Sequence, residues 1–255
     1  MRKTIQLPAP ELSQLKEVNI DLDMTGRHYA QLATSEGQIA EDVAFSILKD
    51  LIEEDANKLT LAELRYLFML VKINALENSY FVNIGCTHTL KDGSVCGHVN
   101  EFEVKLSDAD LNRTPHKYKV PEIEFVDLED KERKYKVMPP TMDMESALLN
   151  WFIVEKGNTP EEVAEDKESA LSYSFLRSLM HLVDESGNRL ITSTTQFETA
   201  DQYFDKNKFK TVRSLFDYSA EVDSFGVQDK TYEFKCKGCG GRIVFRLPLL
   251  NGLVD

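Results

Sequence analysis

Apolar residues recur at helical spacing over residues 38–57, where Ile39, Val43, Ala44, Ile47, Leu48 and Leu51 fall on one face. A second helix is expected from Thr60. Thr60 and Glu63 stand at capping-box spacing, which would satisfy orphan N–H groups of the first turn, and Leu64, Leu67, Phe68 and Val71 supply its apolar stripe. The run Tyr80-Phe81-Val82-Asn83-Ile84 reads as a strand leading into Cys86, and residues 99–104 as a strand leading out of Cys96. Further on, residues 117–127 and 133–138 alternate around Glu129-Asp130-Lys131-Glu132 and predict a β-hairpin closed by Pro139-Pro140.

Met144, Leu148, Leu149, Phe152 and Ile153 form a helical stripe around Trp151. Thr159-Pro160-Glu161-Glu162 carries a helix start, with an N-cap Thr and a Pro at the first helical position, and that helix is expected to reach about Val183 before a turn at Gly187. Two short helices follow near residues 198–205 and 208–222, and strands at 231–235 and 242–247 flank the last cysteine pair. Residues 1–38 differ in character. Leu7-Pro8-Ala9-Pro10 disfavours helix, so the segment reads as an extended arm. Its Ile5, Leu7, Leu12 and Leu15 either dock on a partner, together with an apolar surface around Phe152, Phe175 and Leu176, or pack back on the body as an edge strand.

Composition narrows the class. Of 255 residues 42% are hydrophobic, enough for a packed core. The formal net charge of −13 repels phosphate backbones and argues against nucleic-acid binding. The densest basic stretch, Lys206, Lys208 and Lys210, is diluted by Asp201 and Asp205 and reads as a solvated helix face. The first residues lack the apolar core of a signal peptide. The apolar run over 64–71 is broken by Arg65 and is far shorter than the roughly 20 residues that span a bilayer. The expectation is a chain that folds in a reducing cytosol, where four cysteines suit a metal better than disulfides.

The two cysteine segments repeat one pattern: strand, cysteine, turn, cysteine, glycine, strand. Tyr80-Phe81 precedes Cys86, and Cys96-Gly97 leads into Phe102; Tyr232-Glu233-Phe234 precedes Cys236, and Cys239-Gly240 leads into Ile243-Val244-Phe245. In such a knuckle backbone N–H groups point at the first sulfur, and the residue after the second cysteine adopts a positive φ that glycine takes without steric cost. Zinc takes four tetrahedral ligands, so two hairpins with two thiolates each would fill its shell and leave no open position. Cys236 and Cys239 have the short two-residue spacing, whereas nine residues separate Cys86 from Cys96. Two other readings stay open: four unrelated buried cysteines, or mixed ligation through His88 or His98. His28, His116 and His181 have no partner at ligand spacing and suit ordinary polar roles.

The order of these motifs resembles the baseplate hub assembly proteins of T-even-type contractile-tailed bacteriophages. The resemblance runs over about half the chain. It includes residues 59–63 and the apolar helix after them, Cys96-Gly97-His98-Val99-Asn100-Glu101, residues 104–108, Phe225-Gly226, and the stretch from Cys236 through Arg246-Leu247-Pro248-Leu249. Leu7-Pro8 and Thr25-Gly26-Arg27 fit its amino-terminal pattern, and the long first cysteine turn departs from its short spacing. The resemblance implies a chaperone-like or scaffolding role in building the tail baseplate hub, with other baseplate and hub proteins as partners and no catalytic residues.

The expected fold is α+β: zinc-clamped, zinc-ribbon-like β-hairpins with packed helices and a largely helical insertion. Residues 1–38 are assigned to the arm, 39–106 and 223–255 to a zinc-organised body, and 107–222 to a β-hairpin plus helical insertion. The expected ligands are Cys86, Cys96, Cys236 and Cys239. The expected function is that of a phage tail baseplate assembly factor or minor baseplate component, in the host cytoplasm or the virion tail, with no membrane contact. The alternative is a zinc-ribbon nucleic-acid or transcription adaptor. No phosphate loop, nucleophile elbow or His-Glu-x-x-His helix points to an enzyme.

Overall fold

The computed structural model describes residues 2–34, 40–75, 79–105, 111–115, 117–156, 167–192, 194–227 and 230–247. Among them, seven α-helices and five small antiparallel sheets make a mixed helix-and-sheet architecture. Strands β1 (Arg2–Gln6) and β2 (Glu17–Asp21) pair with Arg2 opposite Asp21 and Gln6 opposite Glu17. Helices α1 (Gly26–Ala33), α2 (Ala40–Leu51) and α3 (Leu61–Ala75) follow. The helical stripe read over 38–57 is α2, and its first residues, 38–39, lie outside the described residues. The helix stops at Leu51 because strand pairing takes over: Ile52 bridges Ile20, and Glu53 N–H donates to the Asn19 carbonyl at 3.0 Å. The start of α3 is the expected capping box. Thr60 N–H donates to Glu63 Oε2 at 2.8 Å, and Glu63 N–H donates to Thr60 Oγ1 at 3.3 Å. Val18, Ile20, Ile47, Leu48, Leu64, Leu67, Phe68 and Val71 close a first core between this hairpin and these helices.

Residues 2–34 are therefore not a free arm. Leu7 enters the first core, Ala9 and Leu12 enter a second, and Ile5 and Leu15 pack half-buried on the first. The tip of the hairpin is tied across the chain as well, since Thr114 N–H donates to the Pro8 carbonyl at 3.0 Å. Apolar side chains at alternate strand positions have to be covered, and two helices lie within reach to cover them.

Strands β3 (Ser79–Gly85) and β4 (Val99–Lys105) carry the first cysteine pair, and β5 is the short Leu111–Asn112. Strands β6 (Glu122–Val126) and β7 (Glu132–Val137) form the expected hairpin, whose turn is held by Asp127: its Oδ1 accepts from Glu129 N–H at 2.9 Å and Lys131 N–H at 3.0 Å. Helices α4 (Met142–Lys156) and α5 (Lys167–Met180), strand β8 (Leu182–Val183), and helices α6 (Asp201–Lys206) and α7 (Phe209–Asp223) complete this half. The expected start of α5 at Thr159-Pro160 lies outside the described residues. Its end comes before Val183 because Leu182 and Val183 pair with Val137 and Lys136. The free edge of β6 is covered by a side chain: Asn207 Oδ1 accepts from Val126 N–H, and its Nδ2 donates to the Val126 carbonyl, both at 2.9 Å. Lys206, expected on a solvated face, instead donates to the Leu128 carbonyl at 2.9 Å.

Phe125, Val137, Leu148, Phe152, Phe175, Leu179 and Leu215 build the second core. Phe152, Phe175 and Leu176, read from sequence as presented surface, are core residues at 1%, 1% and 5% exposure. A helical stripe long enough to cover a sheet is used on that sheet. A charged cluster crosses the same core: Arg177 pairs with Glu145 at 2.6 Å and with Asp223, and His181 Nε2 lies 3.1 Å from Asp223. These three helices are thereby tied in one orientation. The remaining strands are β9 (Gly226–Val227), β10 (Lys230–Lys235) and β11 (Arg242–Leu247). Strand β9 pairs with β5, Leu111 opposite Val227 and Asn112 opposite Gly226, and both apolar residues lie against the first core.

Candidate metal centre

Residues β3–β4 and β10–β11 are two-stranded hairpins that meet through their inner faces. Side chains alternate along a strand, so Phe102 on β4 faces Phe234, Tyr232 and Phe245, while Phe81, Val99 and Val244 point outward and are exposed. The Phe102 ring stacks on Phe234 with centroids 4.9 Å apart and meets Tyr232 and Phe245 edge-on at 5.4 Å. Ile84, Ile243 and the four cysteines belong to the same third core.

The two cysteine turns have the same backbone plan. Cys86 N–H donates to the His98 carbonyl at 2.9 Å, and Gly97 N–H returns to the Cys86 carbonyl at 3.0 Å. In the second hairpin Cys236 N–H donates to the Gly241 carbonyl and Gly240 N–H to the Cys236 carbonyl, both at 2.8 Å. Gly97 and Gly240 have φ of +63° and +71°, the conformation expected after the second cysteine. The nine-residue spacing fits because its extra residues form a small hairpin of their own. Thr89 bridges Val95, and Cys96 N–H donates to the His88 carbonyl at 2.9 Å, so Cys96 returns to the position that Cys239 holds in the shorter turn.

The four sulfurs lie within 4.8 Å of one another. Cys86 Sγ is 3.7 Å from Cys239 Sγ, and Cys96 Sγ is 3.9 Å from Cys236 Sγ. A tetrahedron with metal–sulfur distances of about 2.3 Å has sulfurs about 3.8 Å apart. Each sulfur also accepts from the amide two residues further on: His88 for Cys86, His98 for Cys96, Gly238 for Cys236 at 3.3 Å and Gly241 for Cys239 at 3.4 Å. These donors favour the thiolate form that metals bind. The four cysteines could therefore hold a metal ion.

Electrostatics separates the four. At Cys236 burial opposes ionisation, but the Asn100 amide and the N–H groups of Cys239 and Gly238 outweigh it and bring the thiol down to about 6. At Cys86 the His88 N–H favours the thiolate, but burial and the three neighbouring sulfurs outweigh it and push the thiol up to about 12. Four sulfurs this close cannot all carry charge without a cation among them.

His88 and His98 lie beside this cluster, and neither is one of the four groups that converge. They pack on glycines of the second turn: a Cβ on Gly238 would sit 2.7 Å from His98 Cβ, and a Cβ on Gly241 would sit 2.9 Å from His88 Cγ. That contact accounts for the glycines of Cys236-Lys-Gly-Cys-Gly-Gly other than Gly240. His28 and His181 serve elsewhere: His28 Nδ1 accepts from Thr25 N–H at 3.1 Å at the start of α1, and His181 belongs to the α5–α7 cluster. His116 lies outside the described residues. One residue of the centre is not evident in the sequence. Asn100 is 1% exposed, with Nδ2 3.5 Å from Cys236 Sγ and Oδ1 accepting from Lys237 N–H at 2.8 Å.

A family model described as T4 bacteriophage base plate protein matches residues 22–248, which takes in both cysteine hairpins. No curated protein and no solved structure matches the chain.

Proposed function

Because the chain belongs to the T4 bacteriophage base plate protein family, we propose that it is an assembly factor or minor component of the baseplate hub of a contractile phage tail, acting through protein–protein contacts, and that Cys86, Cys96, Cys236 and Cys239 hold one structural zinc ion. The family match over residues 22–248 carries the first part of this reading. On this reading the chain binds other baseplate proteins, in the host cytoplasm during assembly or in the virion tail. The net charge of −13 favours protein partners over nucleic acid.

The sulfur spacing carries the second part. Four thiolates complete a tetrahedral shell and leave no position for water or substrate, which is the arrangement of a structural site. Zinc would supply the two positive charges that let these sulfurs ionise together, and the hairpins would present them on the zinc-ribbon plan. No residue is assigned a catalytic role.

Two experiments test the proposal separately. Metal analysis of protein purified without chelator is expected to give one zinc per chain, and Cys236→Ser or Cys239→Ser to lose it; well under one equivalent in the wild type overturns the zinc assignment. Co-expression with the other baseplate proteins of the same phage is expected to bring the chain into a complex that persists through size-exclusion chromatography. A chain that elutes alone beside every one of them overturns the assembly role.

A further inference from the structure

We infer that Asn100 is a positioning residue of the metal centre: its side-chain amide registers the second cysteine hairpin on the first and orients the Cys236 sulfur toward the metal. The inference rests on reading the four cysteines as a metal site.

Asn100 stands on β4 opposite Ile84, in the layer between the cysteine turns and the aromatic cluster. Its amide spans the two hairpins. On its own hairpin Nδ2 donates to the His98 carbonyl at 3.1 Å and lies 3.4 Å from the Ile84 carbonyl. On the other hairpin Nδ2 donates to Cys236 Sγ at 3.5 Å, and Oδ1 accepts from Lys237 N–H at 2.8 Å. One rigid planar group thus holds both the sulfur of Cys236 and the backbone of the next residue. A donor and an acceptor on adjacent corners are needed at once, and among side chains of this length asparagine supplies both.

The repeat itself shows that this is not a general feature of the turn. Asn100 comes four residues after Cys96, and the residue four after Cys239 is Ile243, a buried aliphatic. The two hairpins share their strand pairing, cysteine turns and glycines, and they differ at this inner position. A buried amide costs free energy unless every polar atom is bonded, and here two of the bonds that satisfy it, to Cys236 Sγ and from Lys237 N–H, cross from one hairpin to the other. The equivalent apolar residue fills the same space without doing so.

The test is metal affinity in the full chain, with cobalt(II) as the spectroscopic probe, measured by competition with a chromophoric chelator. Asn100→Leu keeps the volume and loses both bonds. Asn100→Asp keeps the acceptor for Lys237 N–H but sets a carboxylate against the Cys236 sulfur. Both variants are expected to bind cobalt and zinc roughly 10–100-fold more weakly than wild type, as for residues that orient metal ligands. The Asp variant should be affected at least as strongly as the Leu variant, with an altered sulfur-to-cobalt charge-transfer band at saturating metal. Fluorescence of Trp151, which packs on the second core, should stay unchanged. Affinity within twofold of wild type in either variant overturns the inference, as does a variant in which Trp151 reports loss of the second core, because the residue would then serve the whole fold. Wild-type protein that takes up neither zinc nor cobalt overturns the metal reading and this inference together, whereas a loaded wild type with unaffected variants overturns this inference alone.

Discussion

Glu63 is 2% exposed at the head of α3, and burial there, opposed by hydrogen bonds from Ser13 and Thr60, raises its carboxyl to about 7. Its folded-state value thus lies above the unfolded one. The stability it contributes is fully present below about pH 4.5 and is lost as pH rises through about 7, a loss of about 3 kcal/mol by pH 8. Glu63→Gln keeps an acceptor for Thr60 N–H and cannot ionise. Urea unfolding at pH 6 and pH 8 is expected to show the wild type losing stability over that interval and the variant losing about 1 kcal/mol less; parallel curves would show that Glu63 is solvated. The cap itself is legible in the Thr60-to-Glu63 spacing. Its burial is not, because the Ser13 that covers it arrives from a turn 50 residues away. Asn100 is illegible for a related reason. On a strand that alternates inward and outward, its sequence context shows only that it faces the Phe102 side, and its partners at Cys236 and Lys237 lie more than 130 residues on.

At the scale of elements, periodicity recovers α3, α4, α7, the β6–β7 hairpin and both cysteine hairpins, since each declares itself within its own span. The elements it misses are those defined by a distant partner. Strand β1 has one inward aliphatic, Ile5, and becomes a strand only by pairing with β2 across a ten-residue tip that sends Leu7 to one core and Leu12 to the other. Leu12→Ala is expected to cost about 2–5 kcal/mol, the usual range for a buried leucine, measured as a lowered urea midpoint. Deleting residues 1–15 should lower the thermal midpoint steeply or abolish cooperative unfolding, since it uncovers apolar side chains of both cores. A deletion with unchanged unfolding would mean that the hairpin rests on the body without supporting it.

At the scale of the molecule, the apolar side chains among the described residues sort into three cores, two under helices and one between the cysteine hairpins. The cysteine spacing, the closing glycines and the strand–turn–strand repeat make the third legible from sequence, although its histidines could be read as ligands until their packing on Gly238 and Gly241 is seen. Separate cores predict separate transitions. Chelation, or Cys239→Ser, is expected to release amide protons of β3, β4, β10 and β11 to rapid exchange while those of α3 and α5 stay protected. Loss of protection in all of them together would make the metal centre the support of the entire chain. The β5–β9 ladder has a mechanical corollary. Leu111 and Val227, the ladder residues next in sequence to β4 and β10, face each other at one end of that short ladder, beside α3, while β3 follows α3 in the chain as a separate connection. Tension on one strand alone would peel Leu111 from Val227 and then Asn112 from Gly226, as a zipper opens. Were a bound metal to join the two hairpins through their sulfurs, neither strand could be drawn out without the other, so a pull on the hairpins would load both strands along their length and be resisted by everything packed on them. Stretched in an optical trap by handles on β3 and on α7, the metal-loaded protein should hold to a higher force than the chelated one.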